Sequence, residues 1–358
     1  KAARLKVEGQ KDAKRAKRLV EKPDYEPSPR GEHVRELVGV SFSVSNPRAR
    51  VVTQPERAFN RGFAAGEFLW YLRGADDVES LRYYNRRTPG FSDDGVSLAG
   101  AYGPRIFNPG LFNPGEGRSQ WARVVAELAR DPDSRRAVLQ IFRAEDLERA
   151  HSPAGTRDVP CTLTLQFLVR GGELHAVATM RSCDLVWGLA NDAFSFTLLQ
   201  EAMALELRQA GVRVSLGRYV HQAGSLHHYD RHDEMVRALA AAPEPADDGA
   251  MEPVESLMDL WELLRDERKL RLRGAAPWPR YRGGAYWLRQ ALEEHAARRA
   301  AEAINQAASA PATRRSRRPA RCCACGCATL SPTTRWSSGP ARGSTSSWGR
   351  TAPVRAQP

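Results

Sequence analysis

Two alternating runs separated by a glycine pair constrain this chain most. Thr162-Leu163-Thr164-Leu165-Gln166-Phe167-Leu168-Val169 has the period of a strand, Gly171-Gly172 supplies a turn, and residues 173–180 alternate again. The pattern predicts an antiparallel hairpin. Asp158-Val159-Pro160-Cys161 opens its first strand, and Arg181-Ser182-Cys183-Asp184 ends the second. A cysteine at the mouth of one strand thus stands beside an arginine at the end of its partner. Nearby guanidinium charge lowers a thiol pKa, and the thiolate is the reactive form, so Cys161 is a candidate nucleophile with Arg181 as its charge partner. A packed, inert cysteine is the competing reading.

The rest of the chain supplies further elements. Lys1 to about Lys22 predicts a charged helix, interrupted by Pro23, Pro27 and Pro29. Val38, Val40, Phe42 and Val44 predict a strand with those four on one face, ended by Pro47. Phe59, Phe63, Leu69 and Leu72 recur at helical spacing with Gly74 as the stop, and Gln120–Ala129 reads as a helix with Ser119 as N-cap. Residues 137–142 predict a short buried strand, 194–207 an apolar helix closed by Gly211, and 214–228 a strand pair. Residues 240–248 read as a linker, 253–268 as a helix and 281–304 as partly helical. Strands interspersed with helices, without βαβ alternation, imply an α+β fold with a large mixed sheet.

The net charge of +12 invites a nucleic-acid reading, yet its distribution argues against one. Residues 1–30 carry ten Lys/Arg against five Asp/Glu, and residues 311–358 carry nine arginines and no acid. The body between is close to neutral, so the ends read as solvated tails. Cys322, Cys323, Cys325 and Cys327 crowd the second tail with no distant pair to complete a zinc site, so no metal is expected. That tail reads as disordered or as an out-of-frame end. No run of eighteen apolar residues suggests a membrane span, and no apolar core follows the first basic residues, so a cytoplasmic protein is expected. The expected organisation is a basic extension over 1–29, a catalytic domain over 30–305 and a low-complexity tail over 306–358.

Five blocks around Cys161 resemble the thymidylate synthase and pyrimidine hydroxymethylase family. They are Glu67-Phe68-Leu69-Trp70-Tyr71-Leu72-Arg73-Gly74, Tyr102-Gly103, Asp131-Pro132-Asp133-Ser134-Arg135-Arg136, Pro160-Cys161, and Arg181-Ser182-Cys183-Asp184 running on to Gly188. A sixth piece, Gly224-Ser225-Leu226-His227-His228-Tyr229, is similar to the family's sugar-binding strand. The resemblance implies a homodimer with sheets packed back to back and 5,10-methylenetetrahydrofolate as co-substrate. It implies that Cys161 adds to C6 of a pyrimidine, that Glu67 organises proton transfers, and that Tyr102 lies near the nucleophile. It assigns the phosphate to Arg181 and Ser182, to Arg135 and Arg136 from the other subunit, and more loosely to Arg30. His227 and Tyr229 would meet the sugar hydroxyl, and Asp184 and Gly188 the folate.

Departures from the family pattern bear on the activity. Counted without gaps from Arg181, the family's base-reading asparagine falls on Asp192, with Asn191 beside it. A carboxylate accepts from the cytosine amino group, so Asp192 favours dCMP or CMP; a one-residue shift to Asn191 would restore a uracil reader. Residues 83–91 hold none of the tryptophans expected there, so water could reach the reacting methylene and give a hydroxymethyl product. The tail also lacks the family's closing C-terminal segment. The expected function is cytidylate-type hydroxymethylation, with thymidylate synthase on dUMP and an inactive binding protein as the alternatives.

Overall fold

The computed structural model describes residues 5–6, 12–108, 117–153, 155–243, 245–274 and 280–309. The cysteine-rich tail lies outside them. In chain order come β1 (Leu5–Lys6), α1 (Asp12–Glu21), β2 (Val34–Val44), α2 (Arg61–Leu72), α3 (Val78–Tyr84), α4 (Tyr102–Phe107), α5 (Gln120–Arg130), β3 (Val138–Gln140) and α6 (Ala144–His151). Then follow β4 (Thr162–Arg170), β5 (Glu173–Asp184), α7 (Gly188–Gln209), β6 (Ser215–Tyr229), α8 (Asp233–Ala241), α9 (Leu257–Arg273) and α10 (Gly283–Ser309). The described strands form one mixed sheet in the order β1-β2-β6-β5-β4-β3, in which β5 and β6 run parallel and β4 and β5 antiparallel. This is the expected α+β arrangement.

The β4–β5 hairpin turns on Gly171 and Gly172, at φ 59° and 77°, where a side chain would be strained. Its inward residues Leu165, Phe167, Leu174, Ala176 and Met180 are buried. Behind them runs α7, apolar on nearly every side because it crosses the core. Gln200, buried on α7, donates to the carbonyls of Leu174 and Gly217 at 2.8 and 3.1 Å, tying the helix to two strands. The Ser119 cap forms as expected, accepting from Ala122 N at 3.2 Å.

Three expectations are corrected. Residues 214–228 are not a pair but one 15-residue strand, β6. It is held extended through Gly217 and Gly224 because β2 pairs along one edge and β5 along the other. On β2, Val38 is 54% exposed, whereas Leu37, Phe42 and Val44 are buried. Gly39, at φ 67°, breaks the alternation between them. Within the basic extension, α1 is not a solvated tail: Ala16 and Leu19 are fully buried.

Candidate active site

Cys161 sits half-buried at the start of β4, beside the end of β5, where the hairpin register shifts between Thr162 and Thr164. Arg181 reaches across: its Nε donates to Pro160 O and its Nη2 to Val159 O, both at 2.9 Å, with Nη2 3.8 Å from Cys161 Sγ. The guanidinium therefore fixes the two residues that lead into the nucleophile. Its charge lowers the thiol pKa as expected, but burial outweighs it. Burial pushes the Cys161 thiol up; Arg181 and Arg30 oppose that, while Asp192 and Asp158 add to it.

Three helices bring the remaining groups. On α2, Glu67 is half-buried, and Tyr71 one turn later donates to its carboxylate. Burial lifts Glu67 to about 8, helped by the charge of Asp192 and opposed by the Tyr71 bond. On α4, the Tyr102 hydroxyl accepts from Thr162 N at 3.2 Å, and its ring stacks on Tyr71 with centroids 5.3 Å apart. This approach needs Gly103, where a Cβ would come within 3.0 Å of Ala75 and Tyr71 backbone atoms. On α7, Asp192 is half-buried and lifted to about 7 by desolvation. Its charge acts on Glu67, Tyr71, Tyr102 and Cys161, so these five groups share one locus. Asn191 does not face it: its Nδ2 donates to Trp187 O at 2.8 Å.

The other expected residues divide. His227 is buried and stands edge-to-face with Tyr229 at 5.3 Å, so both project to the same side at the end of β6. Burial lowers the His227 pKa, which keeps the ring neutral. Asp184 pairs with His227 across the β5–β6 ladder and accepts from Val186 N at 2.8 Å, shaping the turn into Gly188 at the start of α7. Ser182 is half-buried next to Arg181, and exposed Arg30 lies in a short 3₁₀ turn before β2. Arg135 and Arg136 are not brought to this locus. Both are exposed; Arg136 donates to Glu127 at 2.9 Å, and the Arg135 carbonyl accepts from Gln166, five residues beyond Cys161. That offset is about 16 Å along a strand.

Two cavities bear on the locus: one is walled by its residues, and the other shares Asn85 with the first. One of about 200 Å³ is walled by Glu67, Trp70, Tyr71, Phe91, Tyr102 and Asp158. The other, about 630 Å³, lies by α2, α3 and α10 and presents Arg61, Arg86, Arg87, Arg298 and Arg299. Sequence reasoning missed Tyr71, although its four-residue spacing from Glu67 was a usable signal. It also missed Asp158, whose fold partner Gly100 is distant in sequence.

A family model described as thymidylate synthase matches residues 16–252. The deoxyuridylate hydroxymethyltransferase of Bacillus phage SP01 is 33% identical over 216 residues, covering 56% of this chain and 52% of that protein. That of Pseudomonas phage M6 is 33% identical over 224 residues, 58% of each, and that of Delftia phage PhiW-14 29% identical over 211 residues, 56% of this chain and 54% of its own. The chain spans just over half the length of the curated relatives it matches. With two-thirds of its sequence inside the match and Cys161, Arg181, Glu67 and Tyr102 gathered as the blocks required, the chain belongs to the thymidylate synthase family.

Proposed function

We propose that this chain transfers a one-carbon unit from 5,10-methylenetetrahydrofolate to C5 of a pyrimidine nucleoside monophosphate and releases a hydroxymethyl product. The observation that carries this reading is the convergence of Cys161, Glu67, Tyr102 and Asp192 on one half-buried locus. Addition of the Cys161 sulfur to C6 makes C5 nucleophilic; C5 captures the methylene carbon and loses its proton, and tetrahydrofolate departs. Water then adds to the exocyclic methylene, and expulsion of the thiolate restores the C5–C6 double bond. Aromatic walls suit a pterin ring, and the arginine-lined cavity suits the carboxylates of a folate glutamate. Arg30, Arg181 and Ser182 would meet the nucleotide phosphate, His227 and Tyr229 its sugar, and Asp184 with Gly188 the folate.

Deoxyuridylate is the first choice of substrate. Three relatives carry that name, and a protonated Asp192 both donates and accepts, as uracil O4 and N3–H require. The second reading, dCMP or CMP, rests on the carboxylate form of Asp192, which accepts from a cytosine amino group. A panel of dUMP, dCMP and CMP with the folate, read by product mass, tests both. Gain of one CH₂O unit is expected, and Cys161→Ala should lower turnover by at least about 10⁴-fold. A methylated product with dihydrofolate would instead make the chain a thymidylate synthase, and no turnover on any nucleotide would favour a binding protein.

A further inference from the structure

Asp158 stands three residues before the nucleophile and lines the aromatic-walled cavity together with Glu67, Tyr71 and Tyr102. One of its oxygens is committed: Oδ2 accepts from Gly100 N at 2.6 Å, which fixes the carboxyl against the loop preceding α4. The backbone N–H of Asp158 donates to Thr156 Oγ1 at 3.2 Å, fixing the residue from its other end. No hydrogen bond from the described residues reaches Oδ1. The carboxyl is half-buried, faces the same cavity as Glu67 and Tyr102, and its charge acts on the Cys161 thiol.

We propose that Asp158 is the general base for the hydration step, a role that rests on the hydroxymethyltransferase reading. With Cys161 bonded to C6 and tetrahydrofolate gone, the nucleotide carries an exocyclic methylene at C5. The water oxygen bonds to that carbon while Asp158 Oδ1 takes one of its protons. The electron pair of the methylene double bond moves into the ring as an enolate at C4. Collapse of the enolate re-forms the C4 carbonyl and the C5–C6 double bond and releases the Cys161 thiolate, which recovers the proton from Asp158. Nothing is oxidised or reduced, and the net addition is one CH₂O unit.

The other two carboxyls are poorly suited to the task. Glu67 accepts from Tyr71, and Asp192 is committed to the edge of the base, so neither is placed to take the proton of the water. Burial raises Asp158 also, and the Gly100 N–H and the Arg105 charge offset part of that rise. A structural role, bracing the Gly100 loop, would use Oδ2 alone and would survive replacement by asparagine.

Asp158→Asn keeps an acceptor for Gly100 and removes the base. The expected result is a loss of hydroxymethyl product of about 100-fold or more, the usual scale for a general base. Single-turnover release of the C5 hydrogen should fall far less, by under about tenfold. Added 2-mercaptoethanol, which brings its own nucleophile, should divert the stalled adduct to a 5-thioether. In Asp158→Ala, formate should restore part of the hydroxymethyl product. Equal loss of hydrogen release and product in Asp158→Asn, no thioether and no formate rescue would overturn the assignment. Failure of the underlying reading is distinct: the unsubstituted enzyme would then form no hydroxymethyl product at all.

Discussion

The carboxyl of Asp192 titrates near neutrality, at about 7, because burial penalises its charged form. Below that pH it is a neutral acid that can face uracil; above it, a carboxylate that can face the cytosine amino group. The sign of the pH dependence follows. As pH rises from 6 to 8.5, kcat/KM for dUMP should fall and that for dCMP should rise, so their ratio declines. Asp192→Asn removes the titrating group, and the dUMP profile should lose this inflection. Use of dCMP should drop by roughly 10- to 100-fold, since with N3 protonated in the thiol adduct both cytosine groups donate and the asparagine leaves a donor facing a donor, at a cost of about 1–3 kcal/mol. A ratio that stays flat with pH in the unsubstituted enzyme would remove Asp192 as the reader. The ungapped count from Arg181 had chosen Asp192, and the Asn191 amide bonded to Trp187 O favours that count.

Helix α4 carries Tyr102, and its placement depends on a buried ion pair. Arg105 and Asp146 are 2% and 1% exposed, and two parallel bonds of 2.6 and 2.7 Å join them. Arg105 also donates to Ile141 O at 2.6 Å and Ala99 O at 2.9 Å, linking α4 to the end of β3, to α6 and to the loop that holds Gly100. Removing one partner leaves an uncompensated buried charge. Asp146→Ala should therefore lower stability by about 3–5 kcal/mol in urea denaturation, and a loss below about 1 kcal/mol would mean that water solvates Arg105. Elements like this mark the boundary of what the sequence made legible. The hairpin, the Ser119 cap and the Gly74 and Gly211 stops are local, written in turn chemistry and side-chain period. The exposed Val38, the unbroken β6 and the Arg105–Asp146 pair depend on which strand or helix lies alongside, which no window of sequence reports. The site divides in the same way. Cys161, Arg181, Glu67 and Tyr102 could be named from motifs, but the rise of the thiol pKa came from burial that only the fold creates.

At the scale of the whole molecule, the sheet is covered unequally. Leu165, Phe167, Ala176 and Ala178 are buried on the face toward α7, whereas Gln166, Leu168, Val177 and Val220 on the opposite face are only half-buried. That second face suits a second copy of the chain, and Arg135 and Arg136 lie at the far end of β4 from Cys161, out of reach of their own site. Both facts support a homodimer in which these arginines complete the partner's phosphate site. Subunit mixing tests it. Cys161→Ala and the double substitution Arg135→Ala/Arg136→Ala should each be inactive as homodimers. Randomly re-paired, half the dimers are mixed, and one site in each mixed dimer receives its own cysteine and its partner's arginines. Activity should return to about one quarter of that of the unsubstituted enzyme. If each site used the arginines of its own subunit, every site in the mixture would carry one lesion, and the mixture would stay as inactive as its parts.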